Sequence, residues 1–366
     1  MRSTFRLGRI AGIEVGIHWS LLVIGVLLVG SLAGGQLPNL APNAHGSYLA
    51  AAVLAVAFFF ASILAHELAH SVVARRQGQN VEGITLWLLG GVSQMSSESK
   101  SAGDQFRVSI AGPAMTLVLA GVFGLLALAF NSFLAPNTLL PTIAAWLAIV
   151  NLILGIFNLL PGSPLDGGHV LASLLWMRNG DRRKSQLTAA RSGRIVGGLI
   201  VAGSIAMLFS GRDFFITALV GFFIFSASRQ EESSTRLLRT LDNRTAGDMM
   251  RPVTLTAPDW TSVANFGPNA EPALLLGWDD SPTALLPPSA VFAVPPEARE
   301  HTQLRALGVP LMQLKRVPAN AAAIDVVTNG LPAIVDDADG NPIGLIGMDE
   351  LQIVARHDPV LARSGR

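Results

Sequence analysis

Residues 48–74 read Tyr-Leu-Ala-Ala-Ala-Val-Leu-Ala-Val-Ala-Phe-Phe-Phe-Ala-Ser-Ile-Leu-Ala-His-Glu-Leu-Ala-His-Ser-Val-Val-Ala, and Arg75 and Arg76 follow directly. Nothing from Tyr48 to Ala65 is charged, and the run exceeds the ~20 apolar residues that carry a helix across a bilayer. Its last third holds His66, Glu67 and His70, just before the arginine pair that marks a membrane surface. Ionisable groups inside a span are costly and are usually kept for function. This stretch therefore predicts a membrane protein with chemistry near one membrane face.

The rest of the chain agrees. Of 366 residues only 14% are charged, and mean hydropathy is +0.47; ordinary soluble domains carry about 25% charged residues. No Asp, Glu, Lys or Arg occurs between Glu14 and Glu67, or between Arg107 and Asp166. Six apolar segments can be drawn: Ile17–Leu32, Tyr48–Ala74, Val108–Phe130, Ile143–Leu160, Ile195–Phe209 and Phe214–Ala227. The last two are short. A long basic lead-in, with no small-residue cleavage site before further spans, argues against a signal peptide.

Basic residues gather on one side of this arrangement. They are Arg2, Arg6 and Arg9, then Arg75, Arg76, Lys100 and Arg107, then Arg178, Arg182, Arg183, Lys184, Arg191 and Arg194. Residues 34–47 and 131–142 carry none, and the turn between the last two segments carries only Arg212. By the positive-inside rule, this predicts a multi-pass protein of the cell membrane with both termini cytoplasmic. Net charge of +1 excludes a strongly basic nucleic-acid binder. The absence of cysteine excludes disulfides, thiolate catalysis and Cys-ligated zinc.

From about Gln230 charges and prolines return, and short Val/Ile/Leu runs alternate with turn residues. Leu331–Asp337 and Pro342–Ile346 read as strands around an Asp-Gly-Asn turn, and Asp349–Ala355 as a short helix. The Pro-rich stretch Pro282–Pro296 reads as the divider between the two halves of this region. The expected fold is a polytopic α-helical membrane protein of about six transmembrane helices over residues 1–228. A linker at 229–243 and a cytoplasmic α+β domain at 244–360 follow. Val81–Met95, where Ile84, Leu86 and Leu88 alternate with Thr85, Trp87 and Leu89 before Gly90-Gly91, adds a small membrane-associated β element.

His66-Glu67-Leu68-Ala69-His70 has the form H-E-x-x-H. Helix positions four apart share a face, so both imidazoles can reach one metal ion. Glu67 is placed for acid/base work on a water rather than for ligation. With no cysteine, a third ligand must be His or a carboxylate. Asp166, in a Pro/Gly-punctuated loop after the fourth segment, is the candidate. Broken backbone at membrane depth is tolerated only where it is buried in protein or lines a wet cavity. His18 and His45 read as interfacial or packed polar residues, and Trp19, Trp146 and Trp176 as interface anchors.

Together with Asn158-Leu159-Leu160-Pro161-Gly162-Ser163-Pro164-Leu165-Asp166-Gly167-Gly168, that motif resembles the site-2 protease family of intramembrane zinc metalloproteases. Gly8–Ile13 ahead of Ile17-His18-Trp19 is similar to the family's lead-in, so the likeness covers roughly residues 5–228. The resemblance implies one Zn2+ per chain on His66, His70 and Asp166, with Glu67 as catalytic base and Asn158 beside the active site. It implies regulated intramembrane proteolysis of transmembrane substrates. It also suggests that Val81–Met95 offers an edge strand to an unwound substrate. His169 receives no ligand role.

Thr245-Ala246-Gly247-Asp248-Met249-Met250-Arg251-Pro252 and the closing Gly344–Leu351 resemble a cystathionine-β-synthase (CBS) domain pair. Such pairs often bind adenine nucleotides, but here Gly347 stands where Ser or Thr is usual and Glu350 where a ribose-binding Asp is usual. A CBS-gated channel or transporter would also join spans to such a tail, but its internal repeats and paired broken helices are not seen in the sequence. A catalytically inactive relative that only binds membrane proteins is the third reading, and the intact Glu67 counts against it. The expected partners are transmembrane protein substrates and the lipid bilayer, with no nucleic acid; homo-oligomerisation is left open.

Overall fold

The computed structural model describes residues 4–351 except 43, 45, 88–89, 96–98, 135–137, 210–214, 243, 269–270 and 349. The chain divides into two compact units, Met1–Ser233 and Ser234–Arg366.

Among the described residues of the first unit, five helices are long and apolar enough to cross a membrane. They are α1 (Ser20–Leu40, with a π-helical turn at Leu32–Gln36), α2 (Tyr48–Arg76), α3 (Ala102–Phe133), α4 (Leu139–Asn158) and, after the short α5 (Asp166–Asn179), α6 (Arg182–Phe209). Two starts are fixed by hydroxyl caps: Ser47 accepts from the Ala50 amide and Ser101 from the Asp104 amide. Ala51, Ala52, Ala55 and Val56 of α2 pack with Leu139, Ile143 and Leu147 of α4. Such small residues let membrane helices approach closely. Leu22, Val26, Leu125, Leu128 and Ile153 are exposed, as residues facing lipid would be.

The sixth apolar segment behaves differently. It forms the first half of α7 (Phe215–Leu241), and that helix runs on through Arg229, Glu231 and Glu232. The apolar part is too short to meet the length-and-composition measure of a span, so α7 is not among the five. The residues read as a linker are, through Leu241, the polar half of this helix.

A four-stranded sheet completes the first unit, with β1 (Phe5–Ile10), β2 (Ile13–Ile17), β3 (Val81–Trp87) and β4 (Gly90–Met95) in that order. β2 runs parallel to β3, and the β element expected at Val81–Met95 is an antiparallel hairpin of β3 and β4. The sequence reading missed β1 and β2. Their connection is Ala11-Gly12, both at positive φ (51° and 76°), the backbone that a two-residue hairpin requires. Ile13, Ile84 and Leu86 are buried against Leu21 of α1 and against Ile63, Leu64 and Leu68 of α2. The sheet thus holds the helix segment that carries the H-E-x-x-H motif.

The second unit is a tandem repeat. β6 (Leu255–Pro258), β7 (Ala273–Leu276) and β8 (Pro282–Leu286) form one sheet with β9 (Val309–Pro310). β10 (Lys315–Pro318), β11 (Ala333–Asp336) and β12 (Pro342–Ile346) form a second with β5 (Arg251–Pro252). In both sheets the first pair is parallel and the rest antiparallel. The strand ahead of each repeat completes the other repeat's sheet, the arrangement that the CBS likeness implies.

Pro282–Pro296 is accordingly not a divider. Pro282 opens β8 and Pro288 opens a helical turn at Pro288–Phe292, positions where proline forfeits no needed hydrogen bond. Of the helix read at Asp349–Ala355, residues 349 and 352–355 lie outside the described residues.

Leu285, Leu314, Ile334 and Leu345 form a buried cluster joining the two repeats. Ile334 is 1% exposed, so Ile334→Ala is expected to cost about 2–5 kcal/mol. The rings of Trp260 and Trp278 stack at 4.0 Å between centroids, giving an exciton signal by which to follow this. In a thermal melt by circular dichroism the variant should lose that signal several degrees earlier than the wild type.

Candidate metal centre and active site

His66 and His70 lie one turn apart on the buried face of α2, and Asp166 is the first residue of α5. Folding brings them together. His66 Nε2 is 3.0 Å from Asp166 Oδ2 and 3.1 Å from His70 Nε2, and His70 Nε2 is 3.3 Å from Asp166 Oδ1.

The other ring nitrogens decide what these atoms can do. His70 Nδ1 lies 2.7 Å from the carbonyl oxygen of Val108, which can only accept, so the ring proton sits on Nδ1. His66 Nδ1 lies 2.7 Å from Thr116 Oγ1. That hydroxyl spends its proton on the Gly112 carbonyl at 3.1 Å, so it must accept from His66 Nδ1. Both Nε2 atoms are thereby left with lone pairs aimed at a carboxylate and at each other. Such a set repels itself unless a proton or a metal ion lies between its members.

The room for one is present. A Cβ on Gly112 would come to 2.6 Å from His66 Nε2 and press closer still into His70 Nε2. That compares with a zinc–nitrogen bond of about 2.0–2.1 Å, so the space this glycine keeps open suits a metal ion. Two imidazole nitrogens and one carboxylate are the donor set of a catalytic zinc with an open position. Outer partners of the Thr116 and Val108 kind orient such ligands.

Glu67 stands beside the cluster on the wall of a 530 Å3 cavity that Asp166 and Asn158 also line. The remaining wall is mostly apolar, with Leu21, Phe59 and Phe223 from the helices and Trp87 from β3. Among the other expected residues, His18 bonds Ser20 Oγ at the start of α1, away from the cluster, and His45 lies outside the described residues. Trp146 donates to Gln36, and Trp176 lies under Arg182. Thr116, Gly112 and Val108 were not found from the sequence. A backbone carbonyl leaves no trace there, and a Thr and a Gly four apart in an apolar helix read as ordinary packing. In the tail, Glu350 accepts from the Gly347 amide at 2.8 Å and from Arg251 Nε at 3.2 Å. The carboxylate in the ribose-binding position is thus engaged within the protein.

These features define a membrane metallohydrolase with an H-E-x-x-H centre. Segments 54–142 and 134–203 match the profile of Peptidase family M50. The Rip3 protein of Mycobacterium tuberculosis is 38% identical over 324 residues, covering 85% of this chain and 81% of that protein. The sll0528 protein of Synechocystis is 33% identical over 276 residues, 73% of this chain and 69% of that protein. The solved site-2 protease from Methanocaldococcus jannaschii is 28% identical, covers 62% of this chain and 94% of its own, and aligns with a TM-score of 0.43. The chain belongs to Peptidase family M50, the site-2 proteases, and is a membrane zinc metalloprotease.

Gly112→Ala puts a methyl group where the ion is expected. The purified variant should fold but contain almost no zinc by elemental analysis. Thr116→Val frees the His66 ring and should weaken zinc binding by about 10–100-fold in chelator competition.

Proposed function

We propose that this protease hydrolyses peptide bonds within membrane-spanning segments of other proteins. The observation that carries the reading is the cavity itself. Glu67 and the His66–His70–Asp166 cluster open onto a largely apolar chamber lined by membrane helices, suited to an apolar segment rather than a soluble peptide.

In this reading His66 Nε2, His70 Nε2 and one oxygen of Asp166 hold one zinc ion. When bound, zinc lowers the pKa of a water to about 7 and polarises the scissile carbonyl. Glu67 takes the proton of the attacking water on its carboxylate and returns it to the leaving amide nitrogen. Asn158, on the same wall, orients the substrate. A substrate helix hides its carbonyls in its own hydrogen bonds, so it must unwind locally. β4, at the sheet's edge, offers the unwound strand a backbone to pair with.

The one-sided basic residues favour both termini on the cytoplasmic side, which requires the apolar half of α7 to make a sixth crossing shorter than the other five. The tail governs access to the site and takes no part in the chemistry. The Glu350–Arg251 pairing favours a tail that works without nucleotide.

Glu67→Gln should retain zinc but lose cleavage of a membrane substrate by at least about 100-fold. Asp166→Ala should lose zinc as well; full zinc occupancy in that variant would rule out Asp166 as a ligand. For topology, Ser132→Cys in the otherwise cysteine-free chain should react with an impermeant thiol reagent from outside. Ser234→Cys should react only after the membrane is opened.

A further inference from the structure

Asp166 follows a loop, residues 159–165, and the middle of that loop is tied to two other helices. Ser163 is 1% exposed and lies three residues before the carboxylate. Its amide donates to the Ala189 carbonyl of α6 at 3.3 Å. Its carbonyl lies against Ser228 Oγ of α7, whose one proton it shares with the Ile224 carbonyl, and its hydroxyl donates to Glu231 Oε1 of α7 at 3.0 Å. Ser192 of α6 donates to the neighbouring Pro161 carbonyl. A Cβ on Gly193 would press into the Ser163 carbonyl and come to 2.6 Å from Ser228 Oγ, so only glycine lets α6 approach this closely. Arg191 and Arg194 of α6 donate to buried Glu232 of α7 at 3.1 and 2.7 Å, fixing the two helices to each other.

The loop is itself a compact turn. Gly162 bonds Leu160, Leu165 bonds Gly162, and Gly168 in α5 bonds back to Leu165. A displacement of Ser163 therefore carries Asp166 with it. The two histidines are held separately, by Val108 and Thr116 of α3. We propose that Ser163, Ser228 and Glu231 form a latch by which α7 sets the position of the third metal ligand. They are positioning residues. The inference rests on the zinc reading above. It adds that the loop ahead of the third ligand is held by α6 and α7, whereas α3 holds the two histidines.

The test uses the full-length protein in detergent, with zinc affinity from chelator competition and the visible absorption spectrum of the Co2+-loaded form. Ser163→Ala and Glu231→Ala should each weaken zinc binding by about 10-fold or more and shift the Co2+ spectrum. In cleavage assays kcat should fall while KM stays within about twofold, because substrate contacts remain. Glu231→Gln keeps an acceptor oxygen and should restore zinc affinity to near wild type, which a general loss of folding would not allow. Ser163→Ala, the smaller deletion, serves if Glu231→Ala melts early as apoprotein. His66→Ala separates the two claims. If it loses zinc while the Ser163→Ala/Glu231→Ala double variant binds zinc and Co2+ like wild type, the latch is overturned and the metal centre stands. If His66→Ala keeps its zinc, the metal centre itself fails and the latch with it.

Discussion

The mutual repulsion of three lone-pair donors is the constraint on which the rest of this protein depends. His66 Nε2, His70 Nε2 and the Asp166 carboxylate are held within 4.8 Å of one another, and the Nδ1 bonds turn both Nε2 atoms inward to the same point. A cation satisfies such a cluster, and the surrounding fold reads as the means of forcing it. α2 presents two imidazoles on one face, the sheet packs against the same turns, and Gly112 withholds even a methyl group from the centre. Burying these groups at membrane depth would be costly for any chain that did not gain a metal by doing so.

The two halves of the cluster were unequally legible. The histidine pair announces itself, because a spacing of four residues fixes both side chains on one helical face whatever the rest of the chain does. Asp166 is nearly a hundred residues away, and only its Pro/Gly-rich loop and the lack of alternatives singled it out. What the sequence could not convey is the support. Val108 acts through a carbonyl, Thr116 through a hydroxyl whose direction depends on Gly112, and Ser163 through a loop whose partners come from two later helices.

Elsewhere, legibility followed the strength of the local signal. Long uncharged runs located the spans but not all of their ends: Tyr48–Ala74 matches α2 closely, whereas α1 continues past Leu32 to Leu40 and α6 begins at Arg182, well before Ile195. The strands β11 and β12 were visible from their turn. β1 and β2 were missed because the hairpin rests on Ala11 and Gly12 at positive φ, and an alanine in that conformation gives no warning. α7 was divided on paper because its composition changes at Ala227, but a helix does not end where hydropathy ends. Backbone hydrogen bonding continued through the charged half, supported by buried Glu232 and its two arginines.

The exchange of β5 and β9 between the two sheets of the tail has a consequence for how that region can be lost. Each repeat lacks an edge strand that the neighbouring segment supplies, so neither is a free-standing module. A nick between Leu286 and Val309, if the pieces separated, would strip β9 from the first sheet and β5 from the second. Trimming in this region would thus leave no half-tail behind. Natural shortening of the chain should therefore remove the repeats as a pair or not at all.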